Sequence, residues 1–161
     1  MFNLKAEFYL KIIFLFSFIA LISAFFIEYI LGHQPCNLCL IERIPYGLSI
    51  MIIMVIFLIR KNQKFLVMLL ILTFIFSFAI SFYHFGIEQG FFQESSVCGV
   101  KSSTEIVTKE DLLKQLSEKT ISCKDVTFRI FGLSLTSINI VISLLFIITL
   151  LKIFKKYEKN K

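Results

Sequence analysis

Between Lys11 and Leu31 the chain carries a single charged residue, Glu28, within an otherwise apolar run. About twenty such residues in a helix cross the ~30 Å hydrocarbon core of a bilayer. The pattern recurs. A second apolar stretch covers about 39–59, with Glu42, Arg43 and Pro45 near its start and Arg60-Lys61-Asn62-Gln63-Lys64 behind it. A third covers about 65–85, where Thr73, Ser77 and Ser81 fall four apart on one helical face, the spacing of helix–helix contact in a bundle. A fourth covers about 130–151 and ends in a lysine-rich tail. The first stretch is too long for a secretory signal, and no small-x-small site closes it, so it reads as a retained span. The expected fold is an all-α membrane protein, a bundle of four transmembrane helices.

Composition agrees. Of 161 residues, 57% are hydrophobic and 17% charged, with 20 phenylalanines and 6 glycines. Soluble domains carry nearer a quarter charged residues. The length suits a single membrane domain, 1–161. A net charge of +6 raises the question of nucleic acid. The basic residues, however, flank apolar segments instead of interleaving with aromatics, so they report orientation in a lipid bilayer and nucleic acid is not an expected partner. The leader, the loop at 60–64 and the tail hold ten basic residues against two acidic ones. The loops at about 32–38 and 86–129, with the ends of the spans beside them, hold seven against nine. The positive-inside rule therefore puts both termini in the cytoplasm. All four cysteines, Cys36, Cys39, Cys98 and Cys123, then fall outside, which fits an oxidising compartment.

The long outer loop has a helix signature of its own. Thr108 stands as an N-cap, Glu110 and Asp111 occupy the first turn, and Val107 is placed to staple onto Leu112. A short amphipathic helix ending near Lys119 is expected, lying along the membrane surface. Cys98 and Cys123 flank it, and a bond between them would close a loop worth roughly 3 kcal/mol.

The chemistry concentrates in Pro35-Cys36-Asn37-Leu38-Cys39-Leu40-Ile41-Glu42-Arg43. If a helix begins near Pro35, Cys36 and Cys39 face the same way, in a first turn whose unpaired N–H groups favour thiolate. Arg43 lies on that face one turn deeper. On spacing alone a redox pair, a structural disulfide and half of a zinc site all remain open. The other two cysteines lack C-x-x-C spacing, which weighs against a four-cysteine zinc site, and no metal is expected. Nucleotide, flavin and zinc-protease motifs are absent. His33 and His84, near the outer ends of spans, read as helix-end or interfacial groups more simply than as haem ligands. Glu28 and Glu42 are each placed to pair with Arg43. Asn139, deep in the fourth span, reads as an interhelical hydrogen-bonding group.

With these residues in place, the chain resembles the DsbB family of disulfide-bond formation proteins, quinone-linked oxidants of bacterial inner membranes. Cys36-Asn37-Leu38-Cys39 followed by Glu42-Arg43 matches the family's first outer loop and the start of its second helix. Tyr83-His84-Phe85-Gly86-Ile87-Glu88-Gln89-Gly90 resembles one branch of the family, as does Phe131-Gly132-Leu133-Ser134 followed by Asn139. The similarity runs through nearly the whole chain in order and weakens most at about 100–120.

The resemblance implies a membrane thiol:quinone oxidoreductase. A periplasmic, DsbA-like thioredoxin-fold oxidase would be reoxidised at Cys98–Cys123, with Cys98 the sulfur attacked. Electrons would pass to Cys36–Cys39, and Cys39 would give them to a membrane quinone, ubiquinone or menaquinone. Arg43 would stabilise the charge developing on the quinone oxygen. The competing expectation is a non-enzymatic four-span protein stapled by two inert disulfides. An arginine beneath a C-x-x-C separates the two, because a passive staple has no use for it.

Overall fold

The computed structural model describes residues 4–59, 62–93, 98, 122–124, 129–130 and 132–159. Four long helices dominate: α1 (Leu4–Tyr29), α2 (Asn37–Ile59), α3 (Gln63–Glu88) and α4 (Leu135–Lys159). All four are long and apolar enough to cross a membrane. The expected amphipathic helix at 108–119 lies outside the described residues.

The first helix already begins at Leu4, ahead of the expected start at 11, and ends at Tyr29, while the last continues to Lys159, past 151. Two further differences bear on the site. The third helix runs on to Glu88 instead of stopping near 85: Gly86 and Ile87 are buried, and the Glu88 side chain turns inward at 5% exposure. The last helix starts at Leu135, not at 130. Before it, β1 (Arg129–Ile130) pairs antiparallel with β2 (Leu133–Ser134) around Gly132, whose φ of +82° suits a residue without a Cβ. Ser134 then caps the helix, its Oγ accepting the Ser137 N–H at 3.2 Å. At the other end of the bundle, Asn62 takes a left-handed φ of 56° to reverse the chain between α2 and α3.

Helix α3 packs most extensively on α4 and next on α2, while α1 leans chiefly on α2. The core between them is aliphatic and aromatic: Leu10, Ile13, Ile53, Ile56, Leu70 and Phe74 are essentially sealed from solvent. The outward faces are equally apolar, with Phe18, Ile22, Met51, Phe76, Leu145 and Ile148 all exposed. Such a surface has no reason to sit in water but is ordinary against lipid tails. Since lipid is as apolar as leucine, burial alone does not hold these helices together; small residues and hydrogen bonds contribute. Ser49 donates to Ser17 at 3.0 Å between α2 and α1, and Ser143 to Ser77 at 3.2 Å between α4 and α3. Thr73, Ser77 and Ser81 are all buried, as their shared face predicts. Thr73, however, turns back onto the Leu69 carbonyl of its own helix.

Asn139 joins three helices. Its amide donates to Ser81 Oγ at 2.7 Å and to Glu42 Oε2 at 3.1 Å, and its carbonyl accepts from the Tyr46 hydroxyl. The interhelical role expected of it is what the structure contains.

Beyond α3 the chain turns sharply. Gly90, with φ +77°, lets the Phe91 and Phe92 N–H groups reach the Gly86 carbonyl at 2.8 and 3.1 Å. Phe92 then stacks on Tyr83 with ring centroids 5.7 Å apart. A Cβ on Gly86 would stand 2.1 Å from the Phe92 ring, so glycine is what permits this return.

Candidate redox site at the outer end of the bundle

Cys36 immediately precedes α2 and acts as its N-cap. Its carbonyl accepts the Leu40 N–H at 3.2 Å, and its sulfur accepts the Cys39 N–H at 3.3 Å. The thiol therefore caps the helix instead of riding in its first turn, and it meets the positive end of the backbone dipole directly. Cys39, one turn on, faces the same way, with the two sulfurs 2.9 Å apart as free thiols. The hydrogen bond from Cys39 draws the Cys36 thiol well below its ordinary range; burial opposes this, and the His84 imidazole adds to it.

Cys98 and Cys123 are joined in a disulfide with Cα atoms 5.6 Å apart. Both are buried, in one apolar cluster with Cys36, Leu38 and Ile87, against which Cys39, Ile80 and Tyr83 also pack. The two cysteine pairs thus share a pocket of side chains at one end of the bundle.

The sequence reading of His84 is corrected here. It is neither a helix cap nor an interfacial group, but 2% exposed in the centre of the site. Its Nε2 lies 3.6 Å from Cys36 Sγ and its Nδ1 2.9 Å from Glu42 Oε1. Glu88 Oε1 lies 3.9 Å from the same Nε2 and accepts the Thr136 hydroxyl at 2.5 Å. The signal was present in the sequence: Thr73, Ser77, Ser81, His84 and Glu88 continue one polar stripe at helical spacing.

Cys36, Cys39 and His84 bring their ligating atoms within 4.8 Å of one another. No fourth cysteine, histidine or carboxylate among the described residues joins them, which leaves the group short of the four ligands of a structural zinc site.

Arg43 does not stand alone beneath the cysteines. Its Nη1 donates to Glu28 Oε2 of α1 at 2.5 Å, and its guanidinium sits 5.3 Å from the centre of the Phe25 ring. Glu28 is therefore the partner of the arginine. Glu42, the other candidate, is taken by His84 and Asn139.

Between α1, α2 and α4 lies a cavity of about 260 Å³. Phe16, Leu21, Ile27, Ile138 and Ile142 form apolar walls; Cys39, Glu42, Arg43, Tyr46 and Asn139 supply its polar side. His33 lines it as well, near Pro35. A flat apolar ring bearing two carbonyl oxygens suits such walls, with the arginine as a donor. A guanidinium has five N–H groups, so bonding Glu28 leaves others to give. The donor set fits a quinone head group.

Comparison with known proteins places the chain in a family. A family model described as "Disulfide bond formation protein DsbB" matches residues 6–153. An uncharacterized protein of Rickettsia prowazekii (strain Madrid E) is 32% identical over 147 residues, covering 90% of this chain and 86% of the relative.

Proposed function

The chain belongs to the DsbB family of disulfide-bond formation proteins, and on that premise we propose that it is a membrane thiol:quinone oxidoreductase that reoxidises a thioredoxin-fold disulfide donor outside the cytoplasmic membrane. One observation carries the reading. Cys39 touches Cys36 on one side and lines an apolar, arginine-bearing cavity on the other, while the Cys98–Cys123 disulfide lies in the same apolar cluster as Cys36. A pair of inert staples needs none of these adjacencies.

In this reading a thiolate of the reduced partner attacks Cys98. The Cys98–Cys123 bond breaks, a mixed disulfide forms, and the partner's second thiol resolves it, leaving the partner oxidised and Cys98 and Cys123 reduced. That dithiol then reduces a Cys36–Cys39 disulfide by the same exchange. Two electrons and two protons thus arrive at Cys36 and Cys39. A quinone supplies the acceptor for both. Arg43 and the apolar walls would hold its ring, and the buried position excludes water from the exchange.

The charge asymmetry along the chain supports both termini in the cytoplasm and the cysteines on the periplasmic face of a bacterial inner membrane. The single domain 1–161 is part of the same proposal.

The deciding experiment is a quinone-reduction assay in detergent or proteoliposomes, with a reduced dithiol protein as donor and ubiquinone or menaquinone as acceptor. Loss of quinone absorbance with wild type, and not with Cys39→Ser, is the expected result. No quinone reduction by the wild-type protein with either acceptor would remove the proposal.

A further inference from the structure

Forming a Cys36–Cys39 bond from two thiols breaks two S–H bonds and releases two electrons and two protons. Cys39 lines the cavity, so its proton can leave there. Cys36 is 6% exposed and is not part of the cavity wall. Its proton needs a path.

Such a path is built. His84 Nε2 lies 3.6 Å from the Cys36 sulfur, His84 Nδ1 lies 2.9 Å from Glu42 Oε1, and Glu42 is on the cavity wall. We propose that His84 is the acid–base group for Cys36 and that Glu42 relays its proton to the cavity. The proposal rests on the thiol–quinone reading above and deepens it.

The surroundings fit a relay better than a structural tie. Glu42 is gripped on its other oxygen by Asn139 at 3.1 Å, so the carboxylate is held in register with the ring. The titratable groups packed around His84 are Cys36 and Cys39 at the start of α2, Glu42 within α2, and Glu88 on its own helix. Helix α4 contributes Thr136, which does not titrate, beside the ring, and the carboxylate of Glu28 on α1 is engaged with Arg43. Both ring nitrogens thus face partners able to give or take a proton. A buried thiol whose own range is drawn down by Cys39 and His84 gives up its proton readily to such a ring.

The balance closes without another reactant. A thiolate–imidazolium pair stands ready before oxidation. As the S–S bond forms, the ring gives its Nδ1 proton to the Glu42 carboxylate, which releases it at the cavity, where the quinone named above takes both electrons and both protons. The next incoming dithiol replaces the two protons when it re-forms the thiols.

The test uses full-length protein with Cys36 and Cys39 reduced and quinone removed. Alkylation of Cys36 by iodoacetamide, read by peptide mapping from pH 4 to 9, reports its thiolate directly. In wild type the rate should hold up well below neutrality. His84→Asn should slow Cys36 alkylation at pH 6 about tenfold, the equivalent of one pKa unit. Glu42→Gln keeps a hydrogen bond to the ring without the charge and should give a smaller drop. Both variants should then slow oxidation of the dithiol by a short-chain ubiquinone, and both should change its pH profile and solvent deuterium effect. An unchanged Cys36 alkylation profile in His84→Asn would overturn the acid–base role. Should that variant fail to fold, an unchanged profile and unchanged oxidation in Glu42→Gln would overturn the relay. If wild type fails to reduce quinone while alkylation still depends on His84, the quinone reading falls and the acid–base role stands. If both variants oxidise normally, the relay falls and the quinone reading stands.

Discussion

The sulfur of Cys39 lies 2.9 Å from that of Cys36, yet of the two residues only Cys39 borders the cavity between α1, α2 and α4. The pair is therefore asymmetric: one sulfur faces the cavity, the other faces His84, in the apolar cluster that also holds the Cys98–Cys123 disulfide. Cys39→Ser should abolish quinone reduction while leaving the Cys98–Cys123 bond formed, because Cys39 is no part of that bond. Non-reducing mass mapping of the purified variant checks the second half. Quinone reduction near the wild-type rate would contradict the asymmetry.

Arg43 gives a second expectation. Replacing it by alanine removes a donor from the cavity and leaves Glu28 without its ion pair. A charge-assisted contact is typically worth ~1.5–3 kcal/mol, so quinone-dependent turnover should fall roughly 10- to 100-fold. A rise in KM for quinone with little change in kcat would place the contact in binding, whereas a fall in kcat alone would place it in the transition state. Glu28→Gln separates the two roles of the arginine. It removes the ion pair and keeps the guanidinium, so most activity should survive. Wild-type turnover by Arg43→Ala at all quinone concentrations would dismiss the role.

Asn139 is the structural counterpart. Asn139→Leu strips partners from Tyr46, Ser81 and Glu42 at once, inside the bundle. Interhelical hydrogen bonds in membranes are individually modest, ~0.6 kcal/mol on average, so a loss of about 1–3 kcal/mol in total is expected. A lowered melting temperature in detergent measures it. Because Asn139 also holds Glu42, the variant should lose activity beyond what its melting shift accounts for. Unchanged melting would show that these contacts add nothing to the bundle.

Much of this was legible in the sequence, for a physical reason. A span must be nearly free of charge over about twenty residues, so four spans stand out from composition alone. What escaped was polar chemistry pointing inward near span ends. His84 looked interfacial because a histidine at such a depth meets headgroups as readily as protein. Only the stripe from Thr73 to Glu88, read as one face, distinguishes the two. The pairing of Arg43 was open for a similar reason: Glu28 and Glu42 are both near it along the bundle axis. His84 and Asn139 decide the matter by claiming Glu42. The start of α4 was misplaced because apolar residues at 130–133 continue the span's hydropathy. Gly132 and the Ser134 cap override it.

The basic excess around the loop at 60–64 and in the tail is the ground for the proposed orientation in the membrane. Single cysteines introduced at Asn62 and at Gln93, in a background lacking the native four, should react with membrane-impermeant maleimide from opposite sides. Asn62 should label only after the cytoplasmic face is opened. Both sites labelling from the same side would be incompatible with α3 crossing the membrane.

The last expectation concerns order. Cys98 and Cys123 share a cluster with Cys36, so their dithiol need not travel far to exchange with the C-x-x-C pair. A soluble partner must reach the same disulfide, and both Cys98 and Cys123 are buried in the closed arrangement, at 1% and 2% exposure. Attack on Cys98 therefore requires the cluster to open at that sulfur. Once the mixed disulfide has formed, Cys123 is released next to the pair it would reduce. Removing Cys123 should block that transfer. Wild type, its Cys98–Cys123 bond intact, mixed with a reduced partner that has lost its resolving thiol should accumulate a covalent complex through Cys98, with the Cys123 thiol released. Mass spectrometry under non-reducing conditions identifies the linked cysteine. In the same assay Cys98→Ser should trap nothing and should cut partner oxidation to background. A partner found on Cys36, or partner oxidation at the normal rate by Cys98→Ser, would mean that the two pairs do not act in series.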